Sequence, residues 1–276
     1  MINWNGTLQE PTEALVHNRG FLYGDAVFET LKVVDGKILY WEDHYFRLMA
    51  SMRLLRMVIP MSFTLEFLEQ EVVHVLEANN LKSSARVRLT VYREDGGYYT
   101  PQTRNVGYLL SATALASQAY ELATAPYEVE LYKDFYLPKH LLSTLKTTNK
   151  MISVLAGIYA SENGYQSCLL LNESKNIVEG ISGNVFMLSG NRLVTPPVTE
   201  GCLQGIMRKQ ILKLASKIEH LEVVEQEISP FDLQKADELF LTNVIVGIQP
   251  ITQYRKKSYS HTVAAQLVAL LNANLV

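Results

Sequence analysis

Apolar and polar residues alternate over residues 26–34. Val27, Glu29, Leu31 and Val33 fall on one side, and Phe28, Thr30, Lys32 and Val34 on the other, the two-residue period of a strand. Asp35-Gly36 then supplies a tight hairpin turn into residues 37–40. Polar groups stand on both faces of this strand, a pattern shared by exposed strands and by strands that line a site. The period lengthens over 42–58, where Phe46, Met49 and Met52 recur at helical spacing ahead of Pro60. Residues 64–79 repeat it, with Phe67, Leu68, Val72, Val75 and Leu76 on one side and Asn79-Asn80 closing the helix. Residues 85–93 alternate basic with apolar, Glu94 to Gly97 turn, and 106–112 return as a strand. With a short strand and turn over 1–10 and a glycine-punctuated loop over 19–25, the first part of the chain predicts an α+β unit, mostly antiparallel.

Residues 113–122 are small and lack a strong period, and read as the connection between two domains, 1–115 and 122–276. In the second, 129–132 is a strand. A helix opened by Lys146 runs through 152–161 to a stop at Asn163-Gly164. Short strands follow at 167–171, 177–178, 185–188 and 192–194, with Gly190-Asn191 as a hairpin turn. A helix at 204–218, strands at 222–228 and 238–242, and a helix at 262–275 complete the chain.

Composition narrows the function classes. At 48% hydrophobic and 19% charged residues over 276, with net charge -3, the chain is a folded globular protein. Its one basic run, Arg255-Lys256-Lys257, is too short for a nucleic-acid footprint and reads as a solvated turn. No apolar run approaches the roughly 18 residues of a membrane span, and no basic-then-apolar leader opens the sequence. A cytoplasmic protein without membrane or nucleic-acid partners is expected. Cys168 and Cys202 are too few for a metal centre or a disulfide framework, and Cys168 in the apolar run 168–171 reads as a small buried residue.

Three features carry chemistry. Lys146 stands among Ser143, Thr144, Thr147 and Thr148, residues that cap helix starts, and beside Leu141, Leu142 and Leu145. An amine in such surroundings is disfavoured as an ammonium and suits a nucleophile. Glu179 follows a strand and precedes the small-residue loop 180–184. The glycine-bearing turn 201–206 opens a helix, where backbone amides bind phosphate without basic side chains. A Schiff-base lysine, a carboxylate for a pyridinium nitrogen and a phosphate turn are the fixtures of a pyridoxal-phosphate site.

Taken together these features resemble the class IV aminotransferase family, the fold-type IV pyridoxal-phosphate enzymes. The likeness spans nearly the whole chain: Tyr23-Gly24-Asp25-Ala26-Val27-Phe28-Glu29, His44-x-x-Arg47-Leu48, Lys146 with Asn149 three residues on, Glu179 with Asn184-Val185-Phe186, 201–208, and Thr242-Asn243 followed by Pro250. The resemblance implies an α/β (α+β) fold of two α/β domains with the cofactor between them, pyridoxal 5'-phosphate as cofactor, a small amino substrate, and a homodimer. It implies that Lys146 carries the cofactor and moves the proton, that Glu179 pairs with the ring nitrogen, and that Arg47, the amides of Gly205 and Ile206, and Thr242 hold the phosphate.

Within the family, Thr30 stands where branched-chain transaminases carry glycine, and Met151 where they carry tyrosine. The Lys-x-x-Asn spacing resembles the D-amino-acid transaminase and 4-amino-4-deoxychorismate lyase branches. Asn243 and the Arg93-to-Tyr98 loop are similar to the lyases, with Arg88, Arg93 and Lys32 as cations for a dicarboxylate and Thr30 near the leaving group. The resemblance therefore points first to the lyase, which releases pyruvate and 4-aminobenzoate, and next to a transaminase using 2-oxoglutarate with a D- or branched-chain amino acid. A non-catalytic cofactor-binding relative is the reading from another class.

Overall fold

The computed structural model describes residues 1–10, 17–81 and 83–275. The chain divides into two compact units, 1–118 with 146–149, and 119–145 with 150–276. The division falls inside the 113–122 connection. The lysine segment 146–149 joins the first unit, whereas the sequence reading assigns all of 122–276 to the second domain.

The first unit contains β1 (Ile2–Trp4), β2 (Thr7–Gln9), α1 (Arg19–Tyr23), β3 (Ala26–Val34), β4 (Lys37–Ile38), α2 (Trp41–Leu54), α3 (Leu65–Ala78), β5 (Ser84–Arg93) and β6 (Val106–Ala114). The strands form one antiparallel sheet in the order β2-β1-β6-β5-β3-β4. Asp35 and Gly36 both take left-handed backbone angles, φ 46° and 77°, as the tight turn between β3 and β4 requires. Val27, Leu31 and Val33 of β3 pack with Val87, Leu89 and Val91 of β5 beneath Leu48 and Met52 of α2 and Leu68, Val72 and Val75 of α3. Each such buried aliphatic side chain contributes roughly 1.5–3 kcal/mol, so the Val27 face of β3 is the core face. Thr64 caps α3, its hydroxyl accepting from the Phe67 amide at 3.1 Å. Helix α2 stops at Leu54, short of the expected 58, because Arg56 turns left-handed (φ 56°) and the Val58 amide goes to Arg104 O.

The second unit contains β7 (Glu128–Leu137), α4 (Met151–Glu162), β8 (Ser167–Asn172), β9 (Ile177–Gly180), β10 (Gly183–Ser189), β11 (Arg192–Thr195), α5 (Ile206–Ala215), β12 (Glu222–Glu225), β13 (Glu238–Asn243), β14 (Gly247–Ile251), β15 (Gln253–Tyr254), β16 (Lys257–Ser258) and α6 (Thr262–Ala273). Its sheet mixes parallel pairs (β7 with β8, β11 with β12) and antiparallel ones. Strand β8 is buried on both faces. Cys168 and Leu170 meet Ala156 and Ala160 of α4, while Leu169 and Leu171 face Val129, Leu131, Val185 and Met187. Pro250 lies in β14, which pairs with β13 alone among the described strands, an edge where a missing N–H costs little. Glu238 accepts from the Val263 and Ala264 amides at 2.8 and 3.0 Å, a carboxylate at the positive end of α6. Among the described residues no helix is long and apolar enough to cross a membrane.

Candidate active site

Lys146 does not open a helix, contrary to the sequence expectation. A short turn of 3-10 helix ends at Thr144, and α4 begins at Met151. Between them the chain runs antiparallel along β3. Phe28 N donates to Lys146 O at 2.9 Å, Thr148 N donates to Ala26 O at 3.0 Å, and Val27 bridges Thr147. Main-chain groups spent on strand pairing are not available to a first helical turn. Thr148 Oγ1 and Asn149 Nδ2 both donate to Gly24 O, at 3.1 and 2.9 Å. Gly24 has φ 63°, and a Cβ there would stand 2.5 Å from Asn149 Oδ1, so this approach needs glycine. The lysine is thus seated by backbone pairing on a strand of the sheet. Of the three leucines expected around the amine, Leu145 is buried, but Leu141 and Leu142 are exposed.

The Phe28 face of β3 is polar and cationic. Lys146 Nζ lies 4.5 Å from the centroid of the Phe28 ring, and Arg88 Cζ lies 3.7 Å from the same centroid. Register places Thr30 opposite Arg88 and Lys32 opposite Arg86, so Thr30, Lys32, Arg86 and Arg88 share that face. Thr30 and Lys32 are both buried. Burial, and after it the neighbouring charge of Arg86, lowers the Arg88 pKa. A face that gathers cations in this way suits an anionic ligand.

The opposite face of β3 carries Glu29. Its Oε2 lies 2.7 Å from His44 Nδ1, Arg47 Nε donates to its Oε1 at 2.8 Å, and Arg47 Nη2 donates to its Oε2. Burial opposes ionisation of Glu29, but the Arg47 charge and the two donors outweigh it and hold the carboxyl at about 2. Burial lowers the pKa of His44. Arg47, which the resemblance assigns to the phosphate, is therefore oriented by a buried carboxylate.

Arg93, expected as a substrate cation, is engaged within the first unit. It is buried, and its Nε donates to Asp25 Oδ2 at 2.9 Å and its Nη2 to Leu55 O at 2.8 Å, with Nη1 3.4 Å from Arg56 O. Arg19 joins it on Asp25 at 3.1 Å and binds the carbonyls of Gly96, Gly97 and Tyr98. Arg19 thus braces the loop after β5, and Arg93 ties Asp25 to the turn that ends α2.

In the second unit, register lays Glu179 of β9, Asn184 of β10 and Thr242 of β13 in one row across three neighbouring strands. Strand spacing puts the two ends of that row roughly 10 Å apart. Glu179 Oε2 accepts from the Leu203 amide at 2.8 Å, and Asn184 Nδ2 donates to Leu203 O at 2.8 Å. Both row residues therefore fasten the turn that leads into α5. The Gln204 amide goes to Thr144 O, so α5 starts at Ile206, two residues later than expected, with Gly205 as its cap and no side chain capping it. A Cβ on Gly205 would stand 2.0 Å from Asn184 Oδ1. The open helix start, the glycine cradle, the Thr242 hydroxyl and a carboxylate in the same row suit a ligand with a phosphate at one end and a basic ring nitrogen at the other. Pyridoxal phosphate has that form, and the residues fit it.

Asn243 caps its own turn. Its Oδ1 accepts from Ile245 N and Val246 N at 3.0 and 3.1 Å, and its Nδ2 donates to Ser182 O at 3.2 Å. Sequence reasoning missed the residues behind the turn that leads into α5. Buried Glu200 accepts from Lys139 Nζ at 2.6 Å and from Asn172 Nδ2 at 2.7 Å, and Arg208 Nη2 donates to Pro196 O at 2.8 Å. Glu200 and Arg208 lie within the motif, but Lys139 and Asn172 come from other elements and leave no local signal.

A family model described as amino-transferase class IV matches residues 26–254. A relative from Methanocaldococcus jannaschii is 33% identical over 246 residues, covering 88% of this chain and 83% of the relative. The branched-chain-amino-acid aminotransferase of Salmonella typhimurium is 30% identical over 266 residues, covering 90% and 82%. The crystal structure of the Escherichia coli branched-chain amino acid aminotransferase superposes with a TM-score of 0.88 at 24% identity, over 100% of this chain and 94% of that one.

Proposed function

Because the chain belongs to the class IV aminotransferase family, whose members use pyridoxal phosphate, we propose that it is an aminotransferase moving an amino group between an amino acid and a dicarboxylic 2-oxo acid such as 2-oxoglutarate. The observation that carries this reading is the row of cations, Lys32, Arg86 and Arg88, on the strand face where Lys146 Nζ lies. A second carboxylate on the acceptor is a charge that such a row of cations attracts. The cofactor supplies an electron sink for the substrate carbon that bears nitrogen. Lys146 Nζ takes the proton from that carbon and returns it at a different atom. Glu179 holds a proton on the ring nitrogen. The Gly205 and Ile206 amides, Thr242 and Arg47 hold the phosphate, and the Thr30 hydroxyl orients the substrate.

The lyase reading rested on Asn243 and on the loop after Arg93. Both residues have structural partners that account for them. The same Lys146 proton abstraction also serves the lyase, in which the adjacent carbon loses enolpyruvyl as pyruvate and the ring becomes aromatic. A substrate panel decides. Incubation of 2-oxoglutarate with L-valine, L-leucine or D-alanine is expected to form glutamate together with the 2-oxo acid of the donor. Pyruvate and 4-aminobenzoate from aminodeoxychorismate, without amino transfer to any 2-oxo acid, would overturn the proposal in favour of the lyase.

The chain also fits a homodimer. Met151, Val154 and Ile158 lie one and two turns apart on α4 and are exposed, as are Leu141 and Leu142 just upstream. A second copy is the partner that the family's assembly offers to such a face. Sedimentation is expected to show a dimer for the wild type and a monomer for Val154→Lys/Ile158→Lys. A monomeric wild type would remove this assignment.

A further inference from the structure

Glu29, His44 and Arg47 form a buried ionic chain whose purpose amino transfer does not explain. His44 and Arg47 are three residues apart on α2 and reach Glu29 from one helical face. Each carboxylate oxygen has a committed donor: Oε1 takes Arg47 Nε, and Oε2 takes Arg47 Nη2 and His44 Nδ1. His44 is fully buried and Glu29 nearly so, among the apolar side chains that α2 and β3 pack together. The second imidazole nitrogen, Nε2, has no hydrogen-bond partner among the described residues. An imidazolium would need an acceptor there, so His44 is neutral, with its proton on Nδ1 pointed at Glu29.

Such a chain is poor value as a stability device. Desolvating a carboxylate and a guanidinium costs more than packed hydrocarbon in the same volume would. What it does produce is a guanidinium with one orientation. An arginine side chain is long and rotationally free. A two-point contact with a carboxylate that is itself held from its other side removes that freedom.

We infer that Glu29 and His44 are positioning residues that hold the Arg47 guanidinium for the phosphate of the cofactor, His44 acting through Glu29. The inference rests on the cofactor reading given above. It assigns the three residues to phosphate discrimination and leaves the covalent chemistry of Lys146 untouched.

The test compares two ligands that differ only in the phosphate. Cofactor-free protein is titrated with pyridoxal 5'-phosphate and with pyridoxal, and the ratio of the two dissociation constants is measured by absorbance. Wild type is expected to favour the phosphorylated form. Arg47→Leu sets the ratio without the cation. His44→Leu and Glu29→Gln are expected to lower the ratio by about ten-fold or more, the scale of a charge-assisted hydrogen bond, with pyridoxal affinity changed by no more than about two-fold. His44→Asn, whose Nδ2 stands near the place of Nδ1, is expected to restore most of the ratio. If His44→Leu does not fold, Glu29→Gln carries the same comparison.

Equal weakening of both ligands in His44→Leu and Glu29→Gln would overturn the inference and leave a structural role. A wild-type ratio in both variants, with Arg47→Leu lowered, would also overturn it. A wild type that binds neither ligand would instead remove the cofactor reading itself.

Discussion

Lys146→Ala should yield a folded protein that no longer takes up the yellow colour of bound pyridoxal phosphate, with turnover lower by at least about four orders of magnitude. On the proposed function, the substitution removes the amine that carries the cofactor and moves the proton. Neither task has a second candidate on this strand face, where Lys32 lies two strand positions beyond Thr30, opposite Arg86. The fold should survive because the segment is held by its main chain. The Lys146 carbonyl accepts from Phe28 N, and the Thr148 amide donates to Ala26 O, whatever side chain stands at 146. The loss includes a cation over the Phe28 ring, about 0.5–1 kcal/mol. Absorbance titration and a thermal melt check both halves of the expectation. Retained colour and turnover would take Lys146 out of the reaction, and a protein that fails to fold would show that the side chain, not the backbone, holds the segment.

The second large effect is on stability in acid. Glu29→Gln should cost about 3 kcal/mol at neutral pH, and the difference from wild type should shrink as pH falls. A glutamate in the unfolded chain titrates near its ordinary value of 4.5, while the folded Glu29 carboxyl is held at about 2. Between those values the unfolded chain binds a proton that the folded one refuses, so lowering the pH favours unfolding. The stabilisation is complete above 4.5 and is lost on the way to about 2. At about 1.4 kcal/mol per unit the interval amounts to about 3 kcal/mol. His44 acts in the same sense from a higher starting point. Its folded pKa is lowered from 6.5 by burial, so wild type should begin to lose stability as pH drops below that value. Guanidinium midpoints taken at steps from pH 7 to pH 3 measure the difference directly. A wild-type advantage that stays constant across that range would mean that Glu29 does not titrate as its surroundings imply.

Much of the fold was legible in local pattern because local pattern causes it. The helix at Leu65–Ala78 has its cap, its apolar stripe and its terminating asparagine in sequence, and Asp35-Gly36 is a turn dipeptide whatever follows it. The helical reading of Lys146 failed for a physical reason. Ser143, Thr147 and Thr148 are good caps, but the backbone around Lys146 found partners on β3, more than a hundred residues earlier, and no local signal announces that edge. The row of Glu179, Asn184 and Thr242 was hidden in the same way, since it exists only once three strands pair in register. The tandem of Glu29 with His44 and Arg47 was closer to legible. A glutamate on the apolar side of an alternating strand, followed by a histidine and an arginine three residues apart, is a buried charge in need of partners. Arg93 and Asn243 mark the opposite case, where a residue type that suits a substrate is used to hold a turn.

The seating of Lys146–Asn149 in the first unit has a consequence for how the protein is made. A ribosome has released residues 1–118 well before it reaches 149. At roughly 5–20 residues per second the interval between the two is about two to six seconds. Throughout it, the Ala26–Phe28 edge of β3 presents its amides and carbonyls without the strand that will cover them. In the nascent first unit that edge therefore stays unpaired for a defined time, and the stretch that ends that period is the one bearing Lys146. The protein gains Lys146 and closes this sheet edge in the same step of synthesis.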